Sequence, residues 1–117
     1  MPDVPTKVRE TVRQREAGTD PVPRCLRCGS PNASEYAHRR TRSVRGEHQH
    51  CPCNGAYLCR TCHQWCHANP TTALHEGFMV SRHVTDPGMV PVDTWYGTLL
   101  LRCDGDIDFK IKEASDG

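Results

Sequence analysis

The sequence has no apolar run long enough to cross a bilayer. Residues 1–20 are polar and lack the apolar segment of a secretory signal. These absences predict no membrane partner and a reducing, cytoplasmic setting. No internal repeat is present, which excludes a solenoid or array. Apolar residues make up only 36% of 117 positions. A chain of this length forms one domain, and so modest a core usually needs a covalent or metal staple.

Net charge is also nearly lacking, at +1, but it is unevenly spread. Residues 1–46 carry ten Lys/Arg against five Asp/Glu, a net of +5, and residues 47–117 carry five against nine, a net of −4. Such a division fits a polyanion bound on one side; an unevenly charged solvated surface is the simpler alternative. What the chain has in abundance is cysteine, eight residues. In a reducing compartment these point to metal rather than to disulfides.

Local pattern predicts a short basic helix over residues 7–17, with Val8 and Val12 spaced i, i+4 and Gly18 as its stop. Pro21 and Pro23 break the chain. The expected division is a basic N-terminal arm or helix over 1–21, one domain over 22–112, and a tail over 113–117. Within the domain, Cys25 to Gly29 reads as a knuckle, 35–38 as a strand, 39–53 as a loop, 56–58 as a strand and 60–68 as a helix ended by Asn69-Pro70. Phe78 to Val80 is a candidate strand and Asp86-Pro87-Gly88 a turn. Leu99, Leu101 and Cys103 alternate, as do Ile107, Phe109 and Ile111, around an Asp104-Gly105 hairpin turn. Asp104, Asp106 and Asp108 mimic the start of a calcium loop, but Phe109 stands where that loop needs Gly, which excludes it.

Four constellations carry chemistry. Cys25-x-x-Cys28 and Cys59-x-x-Cys62 can close a tetrahedral four-thiolate zinc site, with Zn–S bonds of about 2.3 Å and no open position for substrate. His63 and His67 lie i, i+4 on one helix face and can share a cation, although an isolated pair could equally cap or pack. His38 is followed by Arg39, Arg40, Arg42 and Arg45, which can clamp phosphates; alone, this segment is as readily a solvated basic loop. Asn54 stands five residues before Cys59 and matters by that position. Cys51 and Cys53 can either ligate a metal or pack. Cys66 lies near the first thiolate set, Cys103 reads as core, and His75 and His83 as surface residues.

Taken in order, these residues resemble the HNH endonuclease family, in particular its small phage-type members with a tetracysteine zinc site. The resemblance covers residues 8–108 and is sharpest over 25–70. It implies a small α+β fold: a ββα-metal core over the 22–112 nuclease domain, stapled by zinc on Cys25, Cys28, Cys59 and Cys62, with a C-terminal β-hairpin. It implies a hydrolase acting on DNA, with His38 as general base, His63 and His67 on a catalytic Mg²⁺ or other divalent ion, Asn54 orienting the site, and Arg39, Arg40, Arg42 and Arg45 on the backbone. The implied partners are DNA and phage packaging proteins, and the implied location is the host cytoplasm if the chain is phage-encoded. Ala37 departs from the family, which often carries a metal-binding Asp or His there. Two histidines with waters can suffice, Glu35, His48 or His50 can be recruited, or activity is lost. If only a ligand is missing, Ala37→Asp is expected to raise activity. The alternative function is a non-catalytic zinc-binding nucleic-acid or packaging-accessory module.

Overall fold

The computed structural model describes residues 4–18, 20–31, 33–41, 44–46 and 48–110. The tail over 113–117, Ile111 and Arg42 lie outside them. The expected first helix forms as α1 (Thr6–Ala17) and ends on Gly18, whose φ of 58° suits a residue without a Cβ. Helix α1 is docked on the domain. Val12 and Ala17 are buried, and Arg15 and Glu16 form an ion pair whose side chains are only 3% and 1% exposed.

That pair covers a sheet edge. Strands β1 (Glu35–His38) and β2 (Gly55–Leu58) form an antiparallel hairpin in which Glu35 faces Leu58 and His38 faces Gly55. On the free edge of β2, Arg15 donates to the carbonyls of Pro52 and Gly55, and the Glu16 carboxylate accepts from Tyr57 N–H. The Tyr57 carbonyl accepts from Leu26 N–H. Backbone groups that would otherwise be left unpaired are thus satisfied by side chains and by the knuckle.

The chain then enters α2 (Arg60–Ala68), with Cys59 as N-cap: its sulfur accepts from Cys62 N–H. Asn69-Pro70 ends this helix as expected, but Pro70 also starts another, α3 (Pro70–Glu76). Proline is tolerated in a first turn, where its missing N–H costs nothing. Gly77 closes α3 at φ 83°, and any Cβ there would overlap the Pro91 backbone.

Residues 78–80 do not form the expected strand; Val80 makes a single bridge to Arg40. The C-terminal part exceeds a hairpin. Strands β3 (Val92–Thr94), β4 (Gly97–Leu101) and β5 (Ile107–Phe109) form a three-stranded antiparallel meander in that order. Val92, Leu99 and Leu101 face the core with Cys25, Leu26, Ala37, Leu58 and Phe78. The β3–β4 turn packs on the knuckle: Trp95 N–H donates to Leu26 O, and Gly29, at φ 79°, leaves room for the Trp95 ring. Among the described residues, no helix is long and apolar enough to cross a membrane.

Candidate functional site

The two CxxC pairs meet. The knuckle turns through a Gly29 N–H bond to Cys25 O, and the start of α2 brings Cys59 and Cys62 opposite it. All four sulfurs lie within 4.8 Å of one another, with Cys28 and Cys59 3.8 Å apart. A tetrahedron with Zn–S bonds of about 2.3 Å has edges of about 3.8 Å, whereas a disulfide needs about 2.05 Å. Burial pushes the Cys28 and Cys62 thiols up, whereas backbone N–H groups around Cys25 outweigh its burial and lower its pKa; a bound cation is what would hold all four as thiolates. Arg27 lies beside the cluster, with Nη1 3.5 Å from the Cys62 sulfur and its guanidinium 3.5 Å from the Trp65 ring centre. Cys66 is buried in the core and is not part of this set.

A second cysteine-rich group was not anticipated as a set: His48, Cys51, Cys53 and Cys103, again with ligand atoms within 4.8 Å. Cys103, expected in the core, is instead exposed in the turn between β4 and β5. Both groups can hold a metal ion such as zinc.

The histidines form a separate cleft of about 510 Å³, lined by His38, His63, His67, Tyr36, Thr41 and Met79 among others. His38 ends β1 opposite Gly55 of β2 and lines the same cleft as His63 and His67 of α2. His63 and His67 lie one turn apart, with ring centres 5.1 Å from each other and the rings tilted by 46°. Behind His63, the Glu35 carboxylate lies 2.7 Å from Nδ1, so Nε2 is the nitrogen available to a cation. Nothing in the sequence pattern singled out this contact; it depends on how the start of β1 faces the helix. Tyr36 packs edge-on against His38, with centres 5.7 Å apart. Ala37 points the other way, 6% exposed and part of the core cluster, because successive strand residues face opposite sides. His63 and His67 belong to neither described group of three or more metal-ligating side chains.

Asn54 is 2% exposed. Its Oδ1 accepts from Arg40 N–H at 2.7 Å, and its Nδ2 donates to the carbonyls of Arg40 and Gln49. With the Arg39 N–H bond to Asn54 O, it locks the chain just after His38 to the chain just before β2.

The arginines need correction. Arg39 was expected on phosphate, but it is 2% exposed and donates to the carbonyls of Gly77, Cys53, Pro87 and Val90. Burial, with Arg15 nearby, pushes its pKa down to about 10, which still leaves it charged near neutrality. Arg40 is 4% exposed and donates to Val84 O and Thr85 O. Both serve the fold: they satisfy loop carbonyls, mostly buried ones in the case of Arg39 and part-buried ones in the case of Arg40. Arg45 is exposed, on a second cleft of about 340 Å³ that also carries Arg82 and His83. Arg82 was not foreseen, because it lies 37 residues from Arg45 in sequence.

No family model, curated protein or solved structure matches the chain.

Proposed function

We propose that the protein is a metal-dependent HNH-type endonuclease that hydrolyses DNA phosphodiester bonds. The observation that carries this reading is the convergence of His38, His63 and His67 on one cleft, with Glu35 fixing the ring of His63 from behind. A carboxylate behind an imidazole sets its tautomer and raises its basicity toward a cation. A purely binding surface needs no such arrangement.

The Cys25–Cys28–Cys59–Cys62 centre takes a structural zinc and contributes folding energy. His63 and His67 would hold the catalytic ion; two imidazoles suit Mn²⁺, Ni²⁺ or Zn²⁺ better than Mg²⁺, which favours oxygen ligands. Such an ion supplies charge stabilisation at the phosphate and at the departing oxygen. His38 accepts the proton of a water molecule as that oxygen bonds to phosphorus. The bond from phosphorus to the 3′ oxygen breaks, and this oxygen takes a proton from solvent. The products are a 5′-phosphate and a 3′-hydroxyl. Asn54 positions His38 through the Arg39–Arg40 backbone. Arg45 and Arg82 supply phosphate contacts on the neighbouring surface.

A plasmid-nicking assay with Mn²⁺, Ni²⁺, Mg²⁺ or EDTA tests this. Nicking should require a divalent ion. His38→Ala should lower the rate about 10²–10⁴-fold with zinc content and melting unchanged, and no added metal should restore it. Equal cutting by the wild type and His38→Ala would remove the mechanism. The second reading, a non-catalytic zinc-binding module on DNA or in a packaging assembly, is favoured by Ala37 on the core face and by the lack of a third protein ligand beside His63 and His67 among the described groups. DNA binding without any metal-dependent nicking would select it.

A further inference from the structure

We propose that His48, Cys51, Cys53 and Cys103 form a second zinc centre, which fastens the C-terminal β-meander to the loop preceding β2. This rests on the ligand geometry alone and stands whether or not the protein cuts DNA.

The distances fit the ion. With Zn–S of about 2.3 Å and Zn–N of about 2.0–2.1 Å, a tetrahedral site has S···N edges of about 3.6 Å. Nδ1 of His48 is 3.7 Å from the Cys53 sulfur and 3.6 Å from the Cys103 sulfur. Disulfide bonding among these residues would leave the imidazole without a reason to sit equidistant from two sulfurs. Cys₃His is a recognised closed structural set. The carboxylate of Asp86 stands next to the group, with Oδ1 3.9 Å from His48 Nδ1 and 4.0 Å from the Cys103 sulfur. It also accepts from Gly88 N–H, so it is held in place as a neighbouring acceptor.

The topology supplies the purpose. Cys51 and Cys53 flank Pro52, where a 3-10 turn (Pro52–Asn54) leads into β2. Cys103 lies in the tight β4–β5 turn, closed by Gly105 N–H to Arg102 O. His48 and Cys103 are 55 residues apart in sequence, so a shared ion closes a long loop and stabilises correspondingly. Cys53 immediately precedes Asn54, and Gln49, next to His48, offers the carbonyl that Asn54 binds. The second centre therefore holds the segment whose side chain locks the chain after His38. Of the eight cysteines, seven fall in the two centres, leaving only Cys66 outside.

Elemental analysis and thiol alkylation of the full chain, purified reduced with zinc, test the proposal. The wild type should carry two zinc per chain, Cys103→Ser and Cys51→Ser one each, and Cys66→Ser two. Cys28 and Cys103 are both exposed, so free thiols there would react readily. In the zinc-loaded wild type both should resist iodoacetamide, and both should react after chelation. The alkylation arm needs no variant to fold. One zinc per wild-type chain with Cys103 alkylated at the rate of the chelated protein would overturn the second centre. So would two zinc retained in Cys103→Ser, or a disulfide among Cys51, Cys53 and Cys103 in the reduced preparation.

Discussion

The Glu35 carboxylate and the His63 imidazole meet at 2.7 Å, across 28 residues of sequence, and each is about one-third or less exposed. Arg60 reaches the other Glu35 oxygen only at 4.0 Å and is itself largely exposed, so His63 is the principal partner of Glu35. The contact fixes which ring nitrogen faces the cleft. Under the proposed function, Glu35 is the carboxylate that would sit behind a metal-holding imidazole.

Glu35→Gln should weaken the cleft's divalent affinity about 10–100-fold, the usual effect of losing a partner behind a ligating imidazole. The midpoint of Mn²⁺-dependent nicking should rise by that factor, with the rate at saturating Mn²⁺ largely restored. Calorimetric Mn²⁺ titration of zinc-loaded protein gives the same number without turnover. An unchanged midpoint in both measurements would reduce Glu35 to a surface contact.

The arginines divide into two classes by burial, and substitution should separate them. Arg39→Ala removes a donor from four carbonyls and leaves those of Gly77 and Cys53, both in buried hydrogen bonds, without it; each stranded group costs about 1–3 kcal/mol. A loss of at least about 3 kcal/mol in denaturant unfolding is expected. Arg45→Ala and Arg82→Ala should leave stability within about 0.5 kcal/mol. Each should instead flatten the dependence of DNA affinity on salt by about one unit of slope. A stable Arg39→Ala with a reduced salt slope would return Arg39 to the phosphate surface.

These two classes look identical in sequence, which explains what was legible there. Geometry encoded by local spacing is readable: the CxxC pairs, the i, i+4 histidines, α1, α2 and the Asp104-Gly105 turn all lie where expected. Contacts set by strand facing or by long-range closure are not. A run of arginines does not reveal that Arg39 turns inward to bind carbonyls from Cys53 to Val90. Strand alternation placed Cys103 in a core pattern, yet β4 ends at Leu101, and Cys103 turns out toward His48. β3 was missed because its three residues, Val92–Thr94, are too few to show a period. Pro70 reads in sequence as a stop, yet proline is equally suited to start the next helix, and α3 begins on it.

Zinc at the Cys25–Cys28–Cys59–Cys62 set, as proposed, should be indispensable to the fold. Its ligands bring the knuckle and the start of α2 together, and Cys25 and Cys62 belong to the core cluster themselves. Cys59→Ser, or exhaustive chelation of the wild type, should abolish the cooperative thermal transition seen by circular dichroism, as in other small zinc-dependent domains. Restoring zinc to the chelated wild type should restore the transition. A metal-free preparation with an intact cooperative melt would show that the apolar core suffices.

Ala37 gives the sharpest contrast between sequence position and structure. By position, Ala37→Asp would supply a missing ligand and raise activity. By facing, it would put a carboxylate among Leu58, Phe78 and the other core residues, away from the cleft lined by Tyr36 and His38. A carboxyl group buried there without a partner is held protonated, so its folded-state pKa lies above the unfolded value of about 3.9. The native state then binds more protons than the unfolded state once pH exceeds that value, and stability falls as pH rises. The variant should therefore be least destabilised below about pH 4 and progressively weaker towards pH 7, relative to wild type at each pH. Unfolding midpoints in urea across that range measure this directly. Activity per folded molecule should not increase. A variant with wild-type stability at pH 7 and faster nicking would mean that residue 37 turns towards His63 and His67 after all.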